Sequence, residues 1–225
     1  MDEREVFSPL HAQREIEFLK STSNTIVWSP QNGIAFQLLI PSTVYPPRED
    51  TDLLAKRIIS FGPGRGRKFL EIGCGSGAVS ILAASMGWKV SSCDINPYAV
   101  AATKGNMSEN RFEAEIKEGG VGPDNFPFNA KYDLIVWNLP YIPYSEIKEV
   151  LGPMEEASLI DTDTLGLGHR MLRSIISNQL LATNGRILTI SRKGSIKNTL
   201  VFAHRIWDEL EFDDGEKLVL TCFWR

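Results

Sequence analysis

The chain has 225 residues, a length that suits one folded domain with a short extension and excludes two ordinary ones. Hydrophobic residues make up 43% and charged residues 23%, which excludes a disordered chain. Lys+Arg number 24 against 28 Asp+Glu, a net charge of −4, so a general basic coat for nucleic acid is disfavoured while a local basic patch is not.

Ser8-Pro9 reads as a helix cap followed by proline at the first helical position. A short helix to about Lys20 is predicted, with Leu10, Ile16 and Leu19 as its apolar side. Thr25–Trp28 and Ile34–Ile40 read as two extended runs around an Asn32-Gly33 turn signal, hence a hairpin. Pro41, Pro46 and Pro47 keep the following stretch irregular. Asp50 is a candidate cap for a helix from Thr51 to Ser60, closed by Gly62. Gly62 to Lys68 is Gly-rich and basic, and reads as a solvated loop before a buried strand rather than as a nucleic-acid contact.

From Lys68 the pattern alternates strand and helix. Phe69–Ile72 is a strand, Gly77–Met86 a helix ended by Gly87, and Trp88–Cys93 the next strand. Asn96-Pro97 opens a helix to about Asn106, Ala114–Lys117 is a short strand, and Tyr132–Trp137 a buried one. Leu165–Ala182 is predicted helical with Gly185 after it, then a strand over Arg186–Ser191 and a helix near Lys197–Ala203. Ile206–Phe212 and Lys217–Trp224 read as strands around Asp213-Asp214-Gly215. Such repetition predicts a doubly wound α/β fold with a mostly parallel seven-stranded sheet and an antiparallel C-terminal hairpin. Residues 1–49 form a helix-and-hairpin extension on this reading, and residues 50–225 the main domain.

The cysteines Cys74, Cys93 and Cys222 form no CxxC pair, and the histidines His11, His169 and His204 lie far apart. Reduced thiols and no metal site are expected. Met1-Asp2-Glu3-Arg4-Glu5 lacks the apolar core of a signal peptide, and no apolar run approaches the ~20 residues of a membrane span. A cytoplasmic protein without a membrane partner is the expectation.

The chemistry concentrates in two constellations. Glu71-Ile72-Gly73-Cys74-Gly75-Ser76-Gly77 leaves a strand and enters a helix, and its glycines let backbone turn sharply and approach a ligand closely. It is neither the G-x-G-x-x-G of dinucleotide binders nor a P-loop. Asp94 ends the next strand, about 20 residues after the first glycine, where an acid can accept hydrogen bonds from ribose hydroxyls. Asn138-Leu139-Pro140-Tyr141 follows the Tyr132–Trp137 strand and so falls on the same sheet edge. The Asn138 carboxamide oxygen and the Leu139 carbonyl can accept from a substrate NH₂, Pro140 fixes the turn, and Tyr141 can cover a flat amide or base.

Together these residues resemble the signature of class I S-adenosylmethionine-dependent methyltransferases that act on an amino nitrogen, over the chain from about Ile34 onward. Gly33–Phe36 through Tyr45-Pro46-Pro47-Arg48-Glu49-Asp50-Thr51 is similar to the hairpin and P-R-x-E-T stretch of HemK-type glutamine methyltransferases and to the Y-x-P-x-E-D-T stretch of their short relatives. Glu156–Leu159 with Gly166, Arg170 and Ile175 loosely resembles the segment after their catalytic turn. Leu139 stands where that family usually has proline, and N-L-P-Y also occurs in ribosomal-RNA adenine dimethyltransferases.

The resemblance implies S-adenosylmethionine as donor. Its methionine part is expected at Gly73, Cys74, Gly75 and Gly77, with Glu71 organising the turn and Thr51 closing over it. Asp94 is expected at the ribose, Ile95 beside the adenine, and Glu118 as the acid after the third strand. The methyl would point at Asn138. The implied substrate is the glutamine of a release factor's Gly-Gly-Gln, with a small zinc-binding activator as partner in some short forms. A base of RNA or DNA is the alternative acceptor, and a non-catalytic module that keeps the cofactor fold is the third reading.

Overall fold

The computed structural model describes residues 7–21, 24–121, 126–147, 150–161, 166–196 and 202–225. Helix α1 spans Pro9–Ser21, with Ser8 Oγ accepting the His11 N–H at 3.2 Å. Ile16 and Leu19 are buried, but Leu10 is 62% exposed, contrary to expectation. Buried positions on α1 are taken instead by His11 and Glu15, polar residues that an apolar pattern does not flag.

Strands β1 (Asn24–Gln31) and β2 (Ile34–Ile40) form the expected hairpin, with Gly33 at φ +83° in its turn. The register shifts between Trp28 and Gln31, around Pro30, which has no N–H to give to the ladder. Helix α2 spans Glu49–Ser60 and so begins before Thr51. Arg48 is its N-cap residue, and Thr51 Oγ1 accepts the Arg48 N–H at 3.3 Å. Asp50 is therefore not the cap: it lies within the first turn, with its carboxylate buried.

The remaining elements are β3 (Lys68–Ile72), α3 (Ala78–Ser85), β4 (Lys89–Asp94), α4 (Pro97–Glu109), β5 (Glu115–Glu118), β6 (Tyr132–Asn138), β7 (Ile142–Pro143), α5 (Pro153–Leu159), β8 (Ile160–Asp161), α6 (Leu167–Ser177), β9 (Leu181–Arg192), β10 (Ala203–Glu211) and β11 (Lys217–Trp224). Helix α6 is shorter than expected. The chain turns at Gln179 (φ +52°), and β9 already begins at Leu181, which puts Gly185 inside the strand. No Gly or Pro announces that turn. The helix expected near Lys197–Ala203 falls at 197–201 outside the described residues, and Ala203 begins β10.

Seven strands form one sheet in the order β10-β11-β9-β6-β3-β4-β5. All are parallel except β11, which lies between β9 and β10 and is antiparallel to both. The alternation of strand side chains sorts residues to two faces. Phe69, Leu134, Val136, Leu188 and Ile190 pack on α2 and α3 through Leu54, Ile58, Val79 and Ala83. Leu70, Ile72, Ile135 and Ile187 pack on α6 through Met171, Leu172 and Ile175. Both faces are covered, as a parallel sheet requires.

Trp28, Phe36, Leu38 and Ile40 of the hairpin pack on Ala78, Ile81 and Leu82 of α3 and Val100 and Met107 of α4. The outer backbone edge of β2 is satisfied by amide side chains. Asn106 accepts the Leu39 N–H (2.8 Å) and donates to the Leu39 carbonyl (2.9 Å), and Asn110 repeats this at Gln37 at 3.3 and 2.8 Å. Among the described residues no helix is long and apolar enough to cross a membrane. The three cysteines are buried and unpaired.

Candidate active site

The carboxyl ends of β3, β4 and β6 open onto a cavity of about 380 Å³, within the range of small-molecule sites. Its wall includes Thr51, Glu71, Gly73, Cys74, Gly75, Asp94, Ile95, Asn138, Leu139, Pro140 and Tyr141. Two residues expected with them are not in the wall. Gly77 (φ +81°) is the N-cap of α3, where a Cβ would come within 2.8 Å of Thr103 Cγ2, so its place is the α3–α4 contact. Glu118 is exposed at the end of β5, and Gly119 and Gly120 line the cavity beyond it. Arg65 to Lys68 lies at the start of β3, the opposite edge of the sheet from the cavity.

The glycine turn is shaped by close approach. Gly73 has φ +65°, and a Cβ there would stand 2.7 Å from the Trp137 indole nitrogen. Asp94 ties the turn to β4: one carboxylate oxygen accepts the Gly75 N–H and the other the Asn96 N–H, each at 2.9 Å. Lone pairs on both oxygens remain for a ligand hydroxyl. Asn96 in turn caps α4 by accepting the Tyr98 N–H at 2.9 Å.

Three carboxyl groups of the wall carry the same perturbation. Burial raises Glu71 from 4.5 to about 8, against the hydrogen bond from Ser80. Burial likewise raises Asp50, against hydrogen bonds from Asn138 and Thr51, and Asp94, against the N–H groups of Asn96 and Gly75. Such a wall favours a cationic or donor-rich guest, because an entering positive charge stabilises the ionised carboxylates. Cys74 and Cys93 are pushed up by burial, away from nucleophile behaviour.

Asn138 ends β6, and its amide nitrogen donates to Asp50 Oδ2 at 2.8 Å. Its carboxamide oxygen is buried and has no hydrogen-bond partner among the described residues. The amide turns its NH₂ side to Asp50, which accepts that hydrogen bond when ionised. The orphaned oxygen belongs to a residue of the cavity wall, next in sequence to Leu139, whose own N–H is spent on the Ile190 carbonyl at 3.0 Å.

Other polar wall residues, Asp50, Glu15, Tyr45 and Asn96 among them, were given no site role from sequence. Asp50 was masked by its resemblance to a helix cap, although its place in the first turn of a helix at this sheet edge is a usable signal. Glu15 reaches the wall from α1, where Arg48 Nη1 donates to it at 2.6 Å and the Tyr45 hydroxyl also bonds to it.

A family model described as ribosomal protein L11 methyltransferase (PrmA) matches residues 59–149. A protein N5-glutamine methyltransferase of Methanocaldococcus jannaschii is 36% identical over 120 residues, 51% of this chain and 55% of that one. A release factor glutamine methyltransferase of Lactococcus lactis is 26% identical over 182 residues, 77% of this chain and 66% of that one. The chain spans about half or less of the length of the first curated relatives it matches. Among solved structures, the tRNA (uracil-54, C5)-methyltransferase of Pyrococcus abyssi, in complex with S-adenosyl-L-homocysteine, superposes with a TM-score of 0.58 at 15% identity, covering 89% of this chain and 44% of that one. The chain has the class I S-adenosylmethionine-dependent methyltransferase fold.

Proposed function

We propose that the chain is an S-adenosylmethionine-dependent N-methyltransferase whose acceptor is a protein glutamine side chain, the glutamine of a release factor's Gly-Gly-Gln. The observation that carries this reading is the buried, unpartnered oxygen of Asn138, a cavity-wall residue whose amide nitrogen is held by Asp50. A buried acceptor without a partner costs roughly 1–3 kcal/mol, which a substrate NH₂ entering the cavity would recover.

The residues present fit the donor. The close-packed Gly73 turn and the raised carboxyls of Glu71 and Asp94 suit a ligand that carries positive charge and ribose hydroxyls. Gly73, Cys74 and Gly75 would hold its amino-acid end, Asp94 its ribose, and Ile95 with Gly119 and Gly120 its base. When bound, the donor's sulfonium supplies an electrophilic methyl. Asn138 Oδ1 and the Leu139 carbonyl hold the acceptor NH₂ through both its hydrogens, which fixes the nitrogen and favours localisation of its lone pair. Asp50 keeps the Asn138 amide from turning over.

Support for a protein acceptor comes from the glutamine methyltransferases among the relatives. Cytoplasmic location and a small zinc-binding activator as partner are part of the same proposal. Mass spectrometry after incubation with S-adenosylmethionine, a release factor and bulk RNA in parallel tests it. A methyl on the Gly-Gly-Gln glutamine is expected. Transfer to RNA alone, falling steeply with salt, would replace it with the nucleic-acid reading.

A further inference from the structure

Behind Tyr141, away from the motif residues, lies a buried chain of polar groups from three distant parts of the sequence. His11 Nε2 is 3.0 Å from the Tyr141 hydroxyl, and His11 Nδ1 is 3.0 Å from Asp214 Oδ2. His11 is 1% exposed and wedged between Phe7 and Phe212, with ring centroids 5.8 and 4.6 Å away.

The order of proton donation along this chain follows from its far end. Burial pushes Asp214 up, but the Glu216 N–H and His11 hold it below the ordinary carboxylate value, so it is ionised and only accepts. His11 Nδ1 must therefore carry a proton. The other charged group near the ring is Glu15, with Oε1 3.8 Å from Nε2. Glu15 is already paired with Arg48 at 2.6 Å and takes the Tyr45 hydroxyl. Arg14 shares Asp214 at 3.4 Å and adds positive charge on that side. In the tautomer whose Nδ1–H is directed at Asp214, Nε2 is left as an acceptor, and the Tyr141 O–H donates to it.

Resting on the N-methyltransferase reading above, we infer that His11, oriented by Asp214, is a positioning residue that holds the Tyr141 hydroxyl as an acceptor. With its proton spent on His11, Tyr141 Oη offers an incoming group lone pairs and no donor. The wall residues Asn138, Leu139 and Tyr141 would then offer acceptors through Oδ1, the main-chain carbonyl and Oη, all matched to N–H donors. A guest whose polar end is a carbonyl or a carboxylate would meet no donor from these three residues, which favours the NH₂ side of a carboxamide.

The experiment combines ring nitrogen spectroscopy with kinetics. In ¹⁵N-histidine-labelled protein near neutral pH, the resonances that disappear in His11→Gln identify His11, and their shifts tell a protonated nitrogen from a bare one. A protonated Nδ1 and bare Nε2 are expected, with that preference weakened in Asp214→Ala. Tyr141→Phe and His11→Gln should bind S-adenosylmethionine as the wild type does. Tyr141→Phe should lose about tenfold or more in kcat with a glutamine substrate, and His11→Gln, which can still accept from Tyr141, distinctly less. A His11 ring protonated at Nε2, neutral or cationic, overturns the inference, as does Tyr141→Phe with wild-type kcat. Failure of the wild type to methylate any glutamine would instead overturn the substrate reading, and the ring nitrogens would still decide this one.

Discussion

Asn138 is the residue on which the candidate site turns. Removing its side chain takes away the buried acceptor and leaves Asp50 without its NH₂ partner. Asn138→Ala is expected to keep donor binding and lose methyl transfer by two orders of magnitude or so; near wild-type turnover would move the chemistry elsewhere. Asp94→Ala is expected to cost at least ~1 kcal/mol of donor affinity in calorimetry, and more if the Gly75 turn loosens as well. Glu71 gives a pH signature. Its pKa rises from 4.5 to about 8 on folding, so the unfolded chain releases this proton first as pH rises. Its contribution is harmless below about 4.5 and subtracts from stability progressively up to about 8. Urea titrations should show stability falling across that window, and Glu71→Gln should flatten the fall, incompletely because Asp50 and Asp94 act in the same sense. The glycine turn, Asp94 and Asn138 were legible in sequence because backbone geometry demands those residue types at those spacings. Glu15 and His11 were not. They act by tertiary placement, and a polar residue on a helix carries no local sign of what it will face.

At the level of elements, central strands such as β3 and β6 were readable because they are short, mostly apolar runs buried on both faces. The shortened α6 was not, since its end depends on a Gln179 turn that Gly or Pro does not mark. The hairpin extension depends on something no periodicity reveals: Asn106 and Asn110 standing in for a neighbouring strand along β2. Asn106 is 3% exposed, so Asn106→Ala would leave the Leu39 N–H and carbonyl without their partners. A loss of ~1–3 kcal/mol in denaturant unfolding is expected, with the seven-stranded sheet intact by circular dichroism. An unchanged midpoint would mean that water replaces the amide without cost.

Across the whole molecule, helix α1 is fastened to the turn between β10 and β11. The Ser8 N–H donates to Glu216 Oε2 at 3.2 Å across 208 positions of sequence, and His11 meets Asp214 across 203. Glu216 is itself anchored by Arg192 at 2.8 Å. During synthesis α1 must wait for the 203 positions that separate His11 from Asp214 before these partners exist. The glycine turn and Asp94 belong to strands already made by then. The half of the cavity that would bind the donor can therefore mature before the half that would hold the acceptor, because the long loop to α1 closes against the larger entropy. Refolding from denaturant should return S-adenosylmethionine binding ahead of methyl transfer, and recovery of both at one rate would show that α1 docks with the rest. A chain released early from the ribosome would be a binder of the donor before it could become an enzyme.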